Sequence, residues 1–195
     1  MKFMKLTRLF LAALVAIPLF SSCGYNSMVE LREGVDAQWA QVENVYQRRA
    51  DLIPNLVSTV KGYAAHEQET LEGVIEARSK ATGINLSAEG LTEANMAQFQ
   101  EAQDNLSSAL SRLMVVVERY PDLKANQNFL DLQAQLEGTE NRIAVERNRF
   151  NEETRKYNTY IAKFPKNLIA SLFKFERKPY FEADKASHTA PQVQF

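Results

Sequence analysis

The chain has 195 residues, with 23 Lys and Arg against 24 Asp and Glu, 45% hydrophobic residues, and only 7 Gly, 6 Pro and 1 Cys. This is ordinary globular material, long enough for one packed core and short for two. The charge balance argues against a nucleic-acid binder, and a lone cysteine excludes an internal disulfide or a thiolate metal cluster.

The first 23 residues read as a secretion signal. Lys2, Lys5 and Arg8 precede an apolar run from Leu9 to Phe20, and Ser21 and Ser22 lead into Cys23, the only cysteine. Twelve apolar residues rise roughly 18 Å, short of the ~30 Å hydrocarbon core, so a lipid-acceptor Cys23 is preferred over a spanning anchor. The alternative is an uncleaved N-terminal anchor with a buried cysteine. On the preferred reading the chain divides into a signal peptide over 1–22, a helical domain over 23–182 and a loosely ordered tail over 183–195. Loss of residues 1–22 leaves 20 basic and 24 acidic side chains, a net charge of −4. Residues Gly24 to Met28 carry no charge, so nothing there resembles a signal for inner-membrane retention or surface export. The expectation is a lipoprotein facing the periplasm, on the outer membrane in preference to the inner.

Between Asn26 and Phe164 apolar residues recur at helical spacing, with no sustained period of two. The expected fold is all-α, an antiparallel up-and-down bundle of four long helices. Met28, Leu31, Val35, Trp39, Val42 and Tyr46 advance by threes and fours, continuing through Arg49, Ile53, Leu56, Val60 and Tyr63 to Leu71, Val74, Ile75 and Arg78. Pro54 interrupts this stripe. A mid-helix proline removes a backbone hydrogen bond and crowds the carbonyl of Ala50, so either a kink or an end is expected, with Asp51 capping a new helix. Thr82-Gly83 supplies a stop and the chain to Gly90 is a loop. Phe99, Ala102, Leu106, Leu110, Leu113, Val117 and Tyr120 form the next stripe. Pro121 opens the last helix, where Phe129, Leu136, Ile143, Phe150, Tyr157 and Phe164 recur every seventh residue.

Helices over 27–52, 54–81 and 92–118 would each be roughly 40 Å long, and 121–161 roughly 60 Å. A reversal at Pro54 is preferred to a kinked helix with a protruding stalk, because a stalk would leave Trp39, Val42 and Tyr46 without a cover. From Pro179 onward the periodicity stops and a loose chain end is expected.

The segment Arg48-Arg49-Ala50-Asp51-Leu52-Ile53-Pro54-Asn55-Leu56-Val57, followed by Lys61-Gly62-Tyr63-Ala64-Ala65-His66-Glu67, resembles the LemA family. So do Glu76-Ala77-Arg78, Glu118-Arg119-Tyr120-Pro121-Asp122-Leu123-Lys124-Ala125, Glu140-Asn141-Arg142-Ile143, Phe150-Asn151, Tyr157-Asn158, Phe164-Pro165 and Pro179-Tyr180-Phe181. The resemblance spans roughly residues 25–182 and implies a LemA-type helical bundle held at a bacterial membrane. It implies no reaction, cofactor or ligand. Many members begin with a transmembrane anchor; this chain departs there, its shorter apolar run ending in Cys23.

Catalytic constellations are not visible. His66-Glu67-Gln68-Glu69 continues with Thr70 where a zinc-protease helix needs a second histidine, and no helix carries the Glu-x-x-His of di-iron bundles. Phosphate-binding glycine loops are also missing. No catalytic, cofactor or metal residue is therefore expected. His66 reads as a surface or capping residue and His188 as solvated.

Polar residues at core phases are more informative. Arg49 sits where Val42 and Leu56 point, and Glu140, Arg147, Asn151 and Asn158 share or border the face of Leu136, Ile143, Phe150 and Tyr157. Buried charge needs a partner. These residues, with Arg78 on the stripe of Leu71 and Val74, are expected to form one buried polar cluster. Within it an Arg78–Glu140 pair is expected, with Asn141 or Asn151 as further acceptors. The structural reading is a set of polar layers fixing helix register; the functional one is a polar groove.

The stretch from Asn167 to Phe181 mixes Leu168, Ile169, Leu172, Phe173, Phe175, Tyr180 and Phe181 with lysines and an arginine. A short helix capping the bundle end is the preferred reading and a segment lying on an anionic membrane the alternative. The function expected from all this is a membrane-tethered envelope scaffold or interaction module with an unidentified protein partner. An enzyme or ligand carrier using the polar cluster, and a purely structural lipoprotein, are its competitors.

Overall fold

The computed structural model describes the backbone of residues 2–182 and the side chains from Gly24 onward. The expected signal peptide and Cys23 therefore fall outside the described side chains, and the tail 183–195 with His188 outside the described residues. The described chain is all-α: helices α1 (Lys2–Tyr63), α2 (Gln68–Gly83), α3 (Glu93–Val117), α4 (Pro121–Lys124), α5 (Gln127–Ala162) and α6 (Lys166–Leu172), with a 3-10 turn at Ala88–Gly90. Only α1, α3 and α5 are long; α2 has 16 residues, so four long helices are not what is seen.

α1 passes straight through Pro54, and the expected reversal there, with its cap at Asp51, does not occur. Proline has no N–H to offer the carbonyl four residues back, so Ala50 loses its intrahelical donor. Ala50 is 3% exposed, which leaves a buried acceptor that must find a partner within the protein. Arg78 provides it, donating from Nε to the Ala50 carbonyl at 2.7 Å. That contact joins α2 to α1 and explains how the helix survives its proline. It also removes Arg78 from the expected pairing with Glu140.

The chain turns ten residues later. The Ala64 N–H closes α1 on Val60, and the Glu67 N–H bonds the Ala64 carbonyl. Glu67 Oε1 then accepts from Tyr120 Oη at 2.9 Å and from Arg119 Nη2 at 3.0 Å, tying this turn to the one between α3 and α4. His66 is exposed in the turn. α2 runs back along α1, placing Arg78 beside Ala50 and Leu86 beside Trp39. α2 stops at Gly83, as Thr82-Gly83 predicts, and α3 starts behind Thr92, whose hydroxyl accepts from the Asn95 N–H. Pro121 opens only one turn. Asn126 then caps α5 by accepting from the Phe129 N–H at 3.1 Å, so the single helix expected from 121 is broken at Ala125–Asn126. Phe129, Leu136, Ile143, Phe150 and Tyr157 are all buried, whereas Phe164, beyond the end of α5, is 80% exposed.

The part of α1 around Trp39 is covered without a fourth helix. Trp39 packs edge-on against Phe99 and Phe150 and stacks on Phe181, and its indole Nε1 donates to the Leu86 carbonyl at 2.8 Å. The loop after α2, the start of α3, α5 and the C-terminal segment together supply the cover that the sequence pattern assigns to a reversal. Phe181 is 5% exposed, so the chain end is not loose from Pro179 onward. The core forms two apolar clusters. One contains Ile53, Leu56, Leu110, Leu113 and Leu136; the other contains Trp39, Tyr46, Phe99, Phe150 and Phe181.

Arg78→Met should destabilise the protein by about 2 kcal/mol, the scale of a hydrogen bond from a charged donor to a buried acceptor. In a Pro54→Ala background, where residue 54 regains an N–H for Ala50, the same substitution should cost less than about 1 kcal/mol. Urea denaturation of the four proteins measures this, and equal costs in both backgrounds would refute the coupling.

Candidate functional site

Between the two apolar clusters, at the level of α1 midway between Tyr46 and Ile53, lies Arg49, 1% exposed. Its Nη1 donates to Glu140 Oε1 on α5 at 2.6 Å and to Ser107 Oγ on α3 at 2.9 Å. Nη2 donates to Gln103 Oε1 at 2.5 Å, and Gln103 Nε2 in turn reaches the Ala81 carbonyl on α2 at 3.4 Å. The guanidinium carbon lies 5.3 Å from the centre of the Tyr46 ring. One side chain therefore joins α1, α3 and α5 directly and α2 through Gln103. Burial pushes the Tyr46 hydroxyl up to about 12, although the positive charges of Arg147 and Arg49 pull the other way. Tyr46 is neutral at any physiological pH and serves as a ring beneath the cation.

Glu140 is the partner that reaches water, its side chain 45% exposed against 2% for Arg49. It forms the rim of a groove between α3 and α5 with a volume of about 360 Å³. Leu110, Met114 and Leu136 line its floor, and Ser107, Ser111, Gln133 and Glu137 line its walls. An apolar floor with an acidic and amide rim suits an apolar side chain flanked by a cation or a hydrogen-bond donor.

The remaining polar residues expected at the core do different work. Asn158 clasps the backbone of Lys178 with both ends of its amide, donating from Nδ2 to the carbonyl at 2.8 Å and accepting from the N–H at 2.9 Å. Asn151 does the same to Phe181, at 3.0 and 2.8 Å, and Gln100 on α3 to Glu182, at 2.9 and 3.3 Å. Tyr157 Oη donates to the Glu176 carbonyl. Arg147 donates to the Glu182 carbonyl at 2.9 Å and lies 4.9 Å from the centre of the Phe181 ring. Seven residues of α5 rise about 10.5 Å, and three residues of extended chain span about 10 Å. Asn158 and Asn151 are thus spaced to hold Lys178 and Phe181.

The single expected cluster is therefore three separate arrangements. Arg49 and Glu140 meet at the centre; Arg147, Asn151 and Asn158 hold the C-terminal strap; Arg78 answers Pro54. The Arg78–Glu140 pair is corrected to Arg49–Glu140 and Arg78–Ala50. Gln103 is the central residue that the sequence reading missed. It lies four after Phe99 and three before Leu106, a polar residue on an apolar stripe, and it is buried where Ala102 is only half-buried. Among the described residues no three His, Cys, Asp or Glu side chains are grouped to hold a metal, and no helix is long and apolar enough to cross a membrane.

The LemA family profile matches residues 38–195, a span that takes in the Arg49 centre, the groove and the strap. The chain belongs to the LemA family. It is 30% identical over 193 residues to the magnetosome protein MamQ of Magnetospirillum gryphiswaldense, covering 87% of this chain and 70% of that one. It is 28% identical over 184 residues to magnetosome protein MamQ 2 of Paramagnetospirillum magneticum, covering 85% of this chain and 67% of the relative. Protein LemA of Metamycoplasma hominis is 22% identical over 160 residues, 82% of this chain and 69% of its own.

In this LemA-family chain the central pair should respond unequally to its two deletions. Glu140→Leu leaves the buried guanidinium without its counter-charge and should cost about 3 kcal/mol. Arg49→Met leaves a carboxylate that water can reach and should cost less; chemical denaturation of both variants gives the order, and the reverse order would contradict it. The alkaline limb is a second check. Because the folded-state value of Tyr46 lies above its ordinary 10.0, at about 12, the stability linked to it is complete below pH 10 and is lost as the pH rises through 12. Tyr46→Phe should lose less melting temperature across that window than the unaltered chain does.

Proposed function

We propose that this protein is a membrane-tethered envelope module of the LemA family, held by acylated Cys23 and presenting the α3–α5 groove to a protein partner. One observation carries the reading. α1 (Lys2–Tyr63) runs unbroken past Cys23, so the acylated residue leads without a joint into the rod on which α2, α3 and α5 are built. From Gly24 to Ala50 that rod rises about 39 Å, which puts the Arg49 centre and its groove well away from the anchor. A stiff spacer with a recognition groove at its far part suits protein contact more than small-molecule turnover. Two of the three relatives are named as magnetosome proteins and none is named for a reaction, which favours the same class.

The groove has a built charge, Glu140, held by Arg49, and an apolar floor, so the partner segment it suits is an amphipathic peptide with a basic edge. Facing the periplasm from the outer membrane remains part of this proposal, on the strength of the uncharged residues after Cys23.

Cys23→Ser should move the protein from the membrane fraction to the soluble one, because stable anchoring takes the acyl chains that only the cysteine accepts. A variant that stays as firmly membrane-bound as the unaltered chain, through an intact Met1 terminus, would sink the lipid tether. A photo-crosslinking residue in place of Ser111, on the groove wall, should trap one discrete partner in cells, while the same group in place of the exposed Glu72 on α2 should trap none. Equal capture at both positions would remove the groove from the proposal.

A further inference from the structure

α6 turns only part of itself toward the bundle. Ala170 is 5% exposed, and Ile169 packs against Gly24, where a Cβ would lie 3.4 Å from its Cδ1. Its other face and the residues flanking it are apolar and open: Phe164 is 80% exposed, Leu168 61%, Leu172 76% and Phe173 54%. From Lys163 to Phe175 the sequence holds three lysines and no acidic residue, within a chain that is net acidic once the signal is removed. The capping reading is thus incomplete, since a helix that only closed the bundle would not keep its largest apolar side chains in water.

The position of this patch decides what covers it. Tyr25 packs edge-on against Phe173, with ring centres 5.0 Å apart, and against Phe175 at 5.5 Å. That pins α6 to the turn of α1 that immediately follows Cys23. Apolar side chains edged with lysine, at the point where an acylated residue would enter lipid, match the interface of an anionic bilayer. A second copy of the same face would bring three lysines against three lysines, which opposes self-association.

We propose that α6 and its flanking residues, from Phe164 to Lys174, form a second membrane contact: Phe164, Leu168, Leu172 and Phe173 enter the headgroup region of an anionic leaflet while Lys163, Lys166 and Lys174 meet its phosphates. The proposal rests on the tethered reading and adds an orientation to it. With two contacts beside each other, the rod is fixed at an angle to the bilayer and does not swivel on its acyl chains.

The test uses the full chain, purified in detergent and reconstituted, with Leu172→Trp as a probe. Trp39 is buried some 16 residues further along α1 and gives a constant background. On vesicles of phosphatidylglycerol with brominated acyl chains, emission from the introduced tryptophan should fall about twofold, as expected for a ring at the headgroup–acyl boundary. On brominated phosphatidylcholine it should fall much less. A Val115→Trp probe on α3 should not be quenched on either. Triple reversal, Lys163→Glu with Lys166→Glu and Lys174→Glu, should abolish the quenching while the protein still sediments with vesicles. If that variant loses its helical circular dichroism, about 0.5 M salt applied to the single-probe protein replaces it, since the Debye length then shrinks to a few ångströms. Sedimentation without quenching at position 172 overturns the second contact and leaves the tether standing. Failure to sediment at all overturns the tether and the inference with it. Quenching that persists through both charge reversal and salt overturns the role of the lysines.

Discussion

A guanidinium buried in the middle of a helical bundle has to be answered, and the way Arg49 is answered sets the register of this fold. Leaving it unpaired would cost several kcal/mol. Each of its hydrogen bonds fixes one neighbour: Glu140 the height of α5, Ser107 and Gln103 the height of α3, and Gln103 through Ala81 the end of α2. Sliding α1 by one turn, about 5.4 Å, would set Tyr46 or Ile53 against these acceptors and strand the charge among leucines. Apolar packing would tolerate such a slip far better. The polar layer therefore selects one arrangement among several that bury similar area.

The same logic appears at Pro54 and Arg78 in backbone form. A proline inside a buried helix opens one carbonyl, and a long side chain from the adjacent helix closes it. The two residues lie 24 apart in sequence and do not touch chemically except through Ala50. In both places a local violation of the ordinary rules for a helix core has become an attachment point for a neighbouring element. Continuity of α1 depends on this, and with it the rigid connection between the N-terminal sequence and the groove between α3 and α5.

Much of the fold was legible because its helices are amphipathic: the stop at Thr82-Gly83 and the seven-residue spacing of Phe129, Leu136, Ile143, Phe150 and Tyr157 on α5 appear where the pattern puts them. Pro54 was misread because the local rule gives the cost of a mid-helix proline but not the donor, which comes from another helix. Asn126 was missed because Pro121 is the stronger opening signal, and a turn of four residues satisfied it before the real helix began. For the candidate site, phase identified Arg49, Asn151 and Asn158 as inward-facing and put Glu140 with them, though its side chain is 45% exposed, but it could not assign partners. The partners of Asn151 and Asn158 are backbone atoms of an extended segment, which has no periodicity to announce it. Gln103 was readable in principle, as an amide on the line from Phe99 to Leu106.

The strap held by Asn158, Asn151 and Gln100 is recognised almost wholly through its peptide groups, with Phe181 as the deep side chain and Lys178 reaching Asp36 and the Ala88 carbonyl. Such a grip is indifferent to most side chains but strict about spacing. Tyr180 is 39% exposed, and its neighbours are gripped by their backbones. A single inserted or deleted residue between Lys178 and Phe181 would carry the phenyl ring out from beneath Trp39 and expose the lower core. This stretch of the chain works as a ruler: what it must preserve is its length.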